Sequence, residues 1–246
     1  MTFIGAGPGD PDLLTVKALR ALQSVDVVLH DRLIAQEILD LIPACIRLID
    51  VGKKGFGRHT PQDEINALLV AEAQKGARVV RLKAGDCTVF GRLDEEMDAL
   101  EQAGLSFTII PGITSASAAV AALNQSFTRR GRNSSVRLLT GHDTKGFADQ
   151  DWRSLTQPGQ VAAIYMGARA ARFVQSRLLM HGAAPETPVS FVENASRPDE
   201  RIIASTLAHM SQDLVAARLS GPVLTFWGLS PRAAQSHLPS LQEEFA

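Results

Sequence analysis

The sequence predicts an α/β protein made of two α/β domains with largely parallel sheets. Three observations carry this. Short apolar runs rich in β-branched residues alternate with segments whose apolar residues recur at helical spacing. The rhythm breaks once, at Pro111-Gly112, and then resumes. The 246 residues are 45% hydrophobic, enough to fill a core in each half.

In the first half, strands are expected over residues 2–4, 26–29, 46–49, 77–82 and 106–110, with helices over 13–22, 62–74 and 95–102. Helix 62–74 carries its own start signal. Thr60 suits the N-cap, Pro61 the first helical position, and Asp63 and Glu64 the positive end of the helix dipole. After the break comes a helix of small residues, then the basic stretch TRRGRNSS over 128–135, a solvated linker or a binding loop. The second half offers strands over 136–139, 161–165, 189–192 and 223–226, with helices over 170–180 and 207–216. The expected division is an N-terminal domain 1–113, a connecting helix and linker 114–134, and a C-terminal domain 135–246.

Lys and Arg number 25 against 26 Asp and Glu, a balance that argues against a general nucleic-acid or membrane-surface binder. Cys45 and Cys87 are too few for a disulfide framework or a cysteine-ligated metal. No basic segment with an apolar core precedes Gly5, and runs such as AAVAAL fall far short of a membrane span. A cytoplasmic enzyme without a metal is the expectation.

The turn GAGPGD directly after the first strand imitates a dinucleotide fingerprint, but the count fails. After Gly5, Gly7 and Gly9 the third required glycine is Asp10, and Pro8 cannot lie inside a helix. Such a turn brings backbone close to a flat or bulky ligand, while Asp10 disfavours a pyrophosphate. In an open parallel sheet, ligands gather beyond the C-terminal strand ends. Here those ends carry GAGPGD, HDRLI, VGKKGFGRH and RLKAGDCTVFGR in succession.

These segments, with HTPQDEIN, PGITSAS, LLTGH and YMG in matching order and spacing, resemble the uroporphyrinogen-III C-methyltransferases, a branch of the tetrapyrrole methylase family. The resemblance runs from Thr2 to about Pro231. It implies two α/β domains with an active-site cleft between them, folded S-adenosylmethionine as the methyl donor, and a homodimer. The implied reaction methylates a tetrapyrrole at C2 and then C7, giving precorrin-2 for sirohaem or cobalamin synthesis. With the first strand at residue 2, a stand-alone form is expected, lacking the dehydrogenase and chelatase module fused to some members.

Carried over by motif, Pro8, Ala84, Gly85, Asp86, Val89, Thr114 and Ser115 fall at cofactor positions. Met166 and Ala195 would complete the cofactor pocket from the second domain. Asp31 resembles the proton acceptor, Lys53 the proton donor, and Arg92 a residue beside the substrate and methyl centre. The departures are Asp86-Cys87-Thr88 where relatives have a proline after GD, Leu93-Asp94 for two glycines, and Arg129 for a histidine.

The residue types suit this chemistry. A substrate with eight carboxylates needs local cations, and Lys53, Lys54, Arg58, Arg92, Arg129 and Arg130 all fall in loops. Asp31 suits proton removal after methyl attack; its structural alternative is a strand-end cap or an ion pair with Arg32. Lys53 equally suits a substrate carboxylate. Asp86 suits either a cofactor amine or the pyrrole NH groups, and Met166 either core packing or the cofactor. His30, His59 and His142 lack metal-ligand spacing and read as polar loop residues. The alternatives are a methylase acting on a later precorrin, a non-catalytic tetrapyrrole or cofactor binder, and a nicotinamide dehydrogenase.

Overall fold

The computed structural model describes residues 1–52 and 60–235. The chain divides into two compact units, Met1–Ser115 and Ala116–Ala246, so the break falls just beyond the Pro111-Gly112 turn.

The first unit runs β1 (Thr2–Gly5), α1 (Val16–Leu22), β2 (Val27–His30), α2 (Gln36–Leu39), β3 (Arg47–Asp50), α3 (Gln62–Gln74), β4 (Val79–Lys83), α4 (Leu93–Gln102) and β5 (Thr108–Ile110). Its five strands lie in the order β3-β2-β4-β1-β5, and all pairings are parallel. Alternate residues of each strand face opposite sides. Ile4, Val28, Val80 and Leu82 therefore pack on Ala18 and Leu22 of α1 and Ile38 of α2. On the other side, Val27, Leu29 and Val79 meet Ile65 and Leu69 of α3, and Phe3 meets Leu93 and Leu100 of α4. Fully burying one such leucine is worth about 1.5–3 kcal/mol.

Local signals set most helix bounds. The helix expected from residue 13 is split, because Asp10 caps a separate 3-10 turn, Pro11–Leu13, and α1 then starts afresh with Thr15 accepting from the Ala18 N–H at 3.2 Å. At α3 the N-cap is Pro61, not Thr60, one residue on. Helix α4 begins two residues earlier than expected, immediately after Arg92.

The second unit takes in α5 (Ser115–Ala122) from Ala116 onward, then β6 (Arg137–Thr140), β7 (His142–Asp143), β8 (Gly146–Phe147), α6 (Trp152–Leu155), β9 (Ala162–Tyr165), α7 (Gly167–Met180), β10 (Pro188–Glu193), β11 (Arg201–Thr206), α8 (Met210–Ala216), β12 (Val223–Trp227) and α9 (Arg232–Gln235). Its main sheet has the order β11-β10-β12-β9-β6. Here the expected parallel sheet is corrected. Only β6–β9 is parallel, while β9–β12, β12–β10 and β10–β11 are antiparallel. The cause is β11, a strand the apolar pattern does not announce, which turns back directly after β10 without a crossover helix. Its outer position leaves Arg201, Ile202 and Ala204 exposed, so it lacks the apolar run of a buried strand. One face of the sheet packs on α7 through Ala162, Ile164, Ala170 and Val174. The other covers Ala116, Ala119 and Val120 of α5.

Candidate functional site

In the first unit the helices after β1 and β4 leave toward opposite faces of the sheet, although the two strands are neighbours. That reversal opens the space beyond the strand ends where α/β proteins bind ligands. The two loops continue to pair past the sheet. The Gly7 N–H donates to the Gly85 carbonyl at 3.0 Å and the Gly85 N–H returns to Gly7 at 2.8 Å. The loop after β5 closes on both: a Cβ on Gly5 would lie 2.5 Å from the Gly112 nitrogen and 2.7 Å from the Gly85 oxygen. Only glycine permits this three-way backbone approach. Pro8 is buried within the first loop, and Asp10 serves as the cap of the following 3-10 turn.

Gly85 has φ +67°, a left-handed conformation, and a Cβ there would stand 3.3 Å from Ser115 Oγ. The Asp86 carboxylate is an internal brace. Oδ1 accepts from the Thr88 N–H at 2.7 Å and its hydroxyl at 2.5 Å, and Oδ2 from the Gly112 N–H at 3.2 Å. Thr88 thus closes the loop, and Val89 follows in the turn with its N–H on the Asp86 carbonyl. Cys87 is a core residue packed with Phe3, Leu93 and Leu100. Burial, and then the Asp86 charge, push its thiol up to about 11. Pro8, Ala84, Gly85, Asp86, Val89, Thr114 and Ser115 are therefore brought together on three adjoining loops.

Arg92 sits at the N-cap of α4 with φ +53°. Its guanidinium forks onto Glu95, Nε to Oε1 at 2.7 Å and Nη2 to Oε2 at 2.8 Å. This pairing raises the arginine and lowers the Glu95 carboxyl from its ordinary value. Asp31 follows β2 and pairs with Arg81, which corrects the expected alternative of Arg32. Arg32 is exposed, its backbone against Gly52. His30, expected in a loop, is the buried last residue of β2, its Nδ1 3.2 Å from the Asp31 carbonyl. Lys53, with Lys54, Arg58 and His59, lies outside the described residues.

A buried charge set beneath this surface escaped the sequence reading. Arg81, Lys83 and Glu96 are each almost wholly buried. Glu96 accepts from Arg81 Nε at 3.1 Å and Lys83 Nζ at 2.9 Å. Burial, and next the Arg81 charge, lower the Lys83 ammonium from its ordinary value. The signal was present in RLK: two cations in a central parallel strand demand buried partners.

In the second unit, β10 is antiparallel to β12 and β12 to β9, so β6, β9 and β10 run the same way. Their C-terminal ends carry LLTGH, YMG and ENAS at one edge of the sheet. Met166 is half exposed with φ +53° and is no part of the core. Ala195 is buried against Leu224 and Phe226, between Asn194 and Ser196, both of which have positive φ. Outside glycine, such backbone is uncommon; among the described residues Met166, Asn194 and Ser196 adopt it just past strand ends, Phe90 and Arg92 at the start of α4, and Asn124 and Arg218 elsewhere. Arg129 and Arg130 are exposed, while Arg132 staples the turn by donating to the Ser126 and Phe127 carbonyls at 2.9 Å each.

Residues 1–211 match the protein family described as Tetrapyrrole (Corrin/Porphyrin) Methylases. A uroporphyrinogen-III C-methyltransferase of Paracoccus denitrificans is 44% identical over 92% of this chain and 79% of its own length. A siroheme synthase of Hahella chejuensis is 40% identical over 92% of this chain, which spans only 48% of that protein; the chain is about half as long as the siroheme synthases it matches. Uroporphyrin-III C-methyl transferase of Thermus thermophilus, solved with S-adenyl homocysteine, superposes with TM-score 0.79 at 35% identity, over 92% of this chain and 96% of that one. Cobalt precorrin-4 methyltransferase gives 0.81 at 27% identity, over 92% and 94%. With its paired glycine loops, its left-handed strand ends and this match over most of its length, the chain belongs to the tetrapyrrole methylase family.

Proposed function

We propose that this protein transfers methyl groups from S-adenosylmethionine to C2 and then C7 of uroporphyrinogen III, giving precorrin-2. The observation that carries the reading is the convergence of the GAGPGD, AGD and PGITS loops through Gly5, Gly85 and Gly112, with Asp31 just past the end of β2, the strand beside β4. The residues fit the methyl donor. The glycine backbones let the three loops pack on one another and so fix the surface they present, and the exposed thioether of Met166 suits an adenosyl or sulfonium group. The 44% identity to the Paracoccus enzyme supports uroporphyrinogen III over a later precorrin, whose structural counterpart stands at 27%.

S-adenosylmethionine, when bound, supplies an electrophilic methyl group that needs no further activation. Pro8, Ala84, Gly85, Val89, Thr114 and Ser115 are the residues assigned to hold and orient it, and Met166 and Ala195 are assigned to the cofactor by their motifs alone. Orientation of this kind contributes up to about 7–11 kcal/mol in favourable systems. Asp86 fixes the loop through Thr88 and Gly112, and Oδ2, with one bond from the Gly112 N–H at 3.2 Å, retains a lone pair for a cofactor amine. Arg92 meets a substrate carboxylate, in exchange for or alongside Glu95. Asp31 accepts the proton that the alkylated ring must lose, and Lys53 is assigned the return of a proton. The working form is a cytoplasmic homodimer, which sedimentation of the purified protein tests. No helix among the described residues is long and apolar enough to cross a membrane.

The test is anaerobic incubation with uroporphyrinogen III and methyl-labelled S-adenosylmethionine, following label and mass of the tetrapyrrole. A gain of two methyl groups is expected. Cofactor binding without methyl gain on this substrate would overturn the reading in favour of a later precorrin or a non-catalytic binder.

A further inference from the structure

The segment from Ala84 to Arg92 is pinned at both ends by charge buried beneath it. Lys83, the residue before it, meets Glu96 in the first turn of α4 just after it, Nζ to Oε2 at 2.9 Å. Glu96 is fully buried, and its other oxygen takes Nε of Arg81 at 3.1 Å. The Arg81 guanidinium is fully committed in direction. Nη1 donates to the Leu82 carbonyl at 3.2 Å and reaches that of Leu29 at 3.5 Å, while Nη2 engages Oδ1 of Asp31. Two cations and two anions thus form a neutral set with one outlet. The side chains of Arg81, Glu96 and Lys83 are 2%, 0% and 4% exposed, and that of Asp31 is 31% exposed.

Burying three charges costs several kcal/mol per ion before pairing, and an apolar replacement commonly serves stability as well. The set is therefore poorly explained by stability alone, and its single exposed member is the residue assigned the proton. We propose that Arg81 is a positioning residue. It clamps one carboxylate oxygen of Asp31 from below, fixing the rotamer that presents the other, while Glu96 holds the Arg81 fork and Lys83 ties that anchor to the base of the 84–92 loop. The inference rests on the proton-accepting role proposed above for Asp31.

The test uses the whole protein and the charge-conserving pair Arg81→Met/Glu96→Gln, which removes one cation and one anion, keeps the set neutral and leaves an amide oxygen facing the Lys83 ammonium. Arg81→Lys, which keeps the charge without the fork, is the second variant. A loss of about 100-fold in kcat is expected for the pair, with S-adenosylhomocysteine binding retained and partial recovery in Arg81→Lys. In an Asp31→Asn background the same pair should cost no more than about twofold further, because the contact it serves is already gone. Three-bond couplings of Asp31 should report one χ1 rotamer in the wild type and averaging in the pair, whatever the activity. Equal losses in both backgrounds, or an Asp31 rotamer unmoved by the pair, would overturn the inference while leaving the proposed reaction intact. Near-normal turnover in Asp31→Asn alone would overturn the proton-accepting role of Asp31 and the inference with it while the methyl transfer itself stands, and averaged couplings in the pair would then locate the failure in the role of Asp31 rather than in its contact with Arg81.

Discussion

At the scale of single residues, the candidate site separates side chains proposed to meet a ligand from those that hold the surface in shape. Asp31→Ala takes one anion from buried Arg81 and should lower stability, but it touches none of the glycine loops, so S-adenosylhomocysteine binding should survive while turnover falls about 10²–10⁴-fold, the range for a positioned acid–base group. Isothermal titration and single-turnover methyl transfer measure the two effects separately. Cys87 belongs to the second class. Its thiol, at about 11 against an ordinary 9.0, keeps its proton in the native state between those values while the unfolded chain loses one. Stability should therefore fall as pH rises from about 9 to about 11, and Cys87→Ala should remove that slope. At neutral pH, iodoacetamide followed by mass spectrometry should find exposed Cys45 modified and Cys87 spared.

At the scale of elements, strand ends and helix starts are where sequence pattern becomes a surface. Loops after β1, β4 and β5 approach one another only because Gly5, Gly85 and Gly112 lack side chains. Gly112→Ala would set a Cβ 2.6 Å from the Gly5 carbonyl oxygen. The backbones must part, at a cost of roughly 1–3 kcal/mol. Urea unfolding should register that loss, and S-adenosylhomocysteine affinity should fall with it. Thr15→Ala is the contrasting change. It removes the cap of α1, also worth about 1 kcal/mol, at a point outside the paired loops. Affinity should then hold although stability drops. The helix start near Pro61 was legible within a residue because caps are local, whereas α1 begins three residues after the expected residue 13, past a separate 3-10 turn. The left-handed turns at Phe90, Arg92 and Met166 were not legible, since nothing in those residue types asks for positive φ.

At the scale of the whole molecule, ligand binding couples to the stability of the native state. Filling the proposed cofactor site at 100 times its dissociation constant should stabilise the protein by about 2.7 kcal/mol. A thermal scan with S-adenosylhomocysteine should show that shift, and one with NADH should not, because the third glycine of the dinucleotide fingerprint is Asp10, spent on a cap. An NADH-induced shift of equal size would reopen the dehydrogenase reading. The second unit reaches a similar functional layout by a different sheet. Although mostly antiparallel, it sends β6, β9 and β10 in one direction, so the three motif-bearing strand ends share one edge.

The amino-acid sequence by itself determined the alternation of strands and helices, the break near Pro111-Gly112, the failure of the dinucleotide count and the family resemblance. Each of these depends on spacing along the chain, which periodicity, caps and ordered motifs report directly. Only the tertiary structure decided that β11 turns back to make the second sheet mixed, that Asp86 braces its own loop, and that Asp31 pairs with Arg81 rather than Arg32. Those outcomes join residues tens of positions apart or set the direction of an edge strand. No local preference encodes such pairings; they follow from which backbones can approach closely and which buried charges must find a partner.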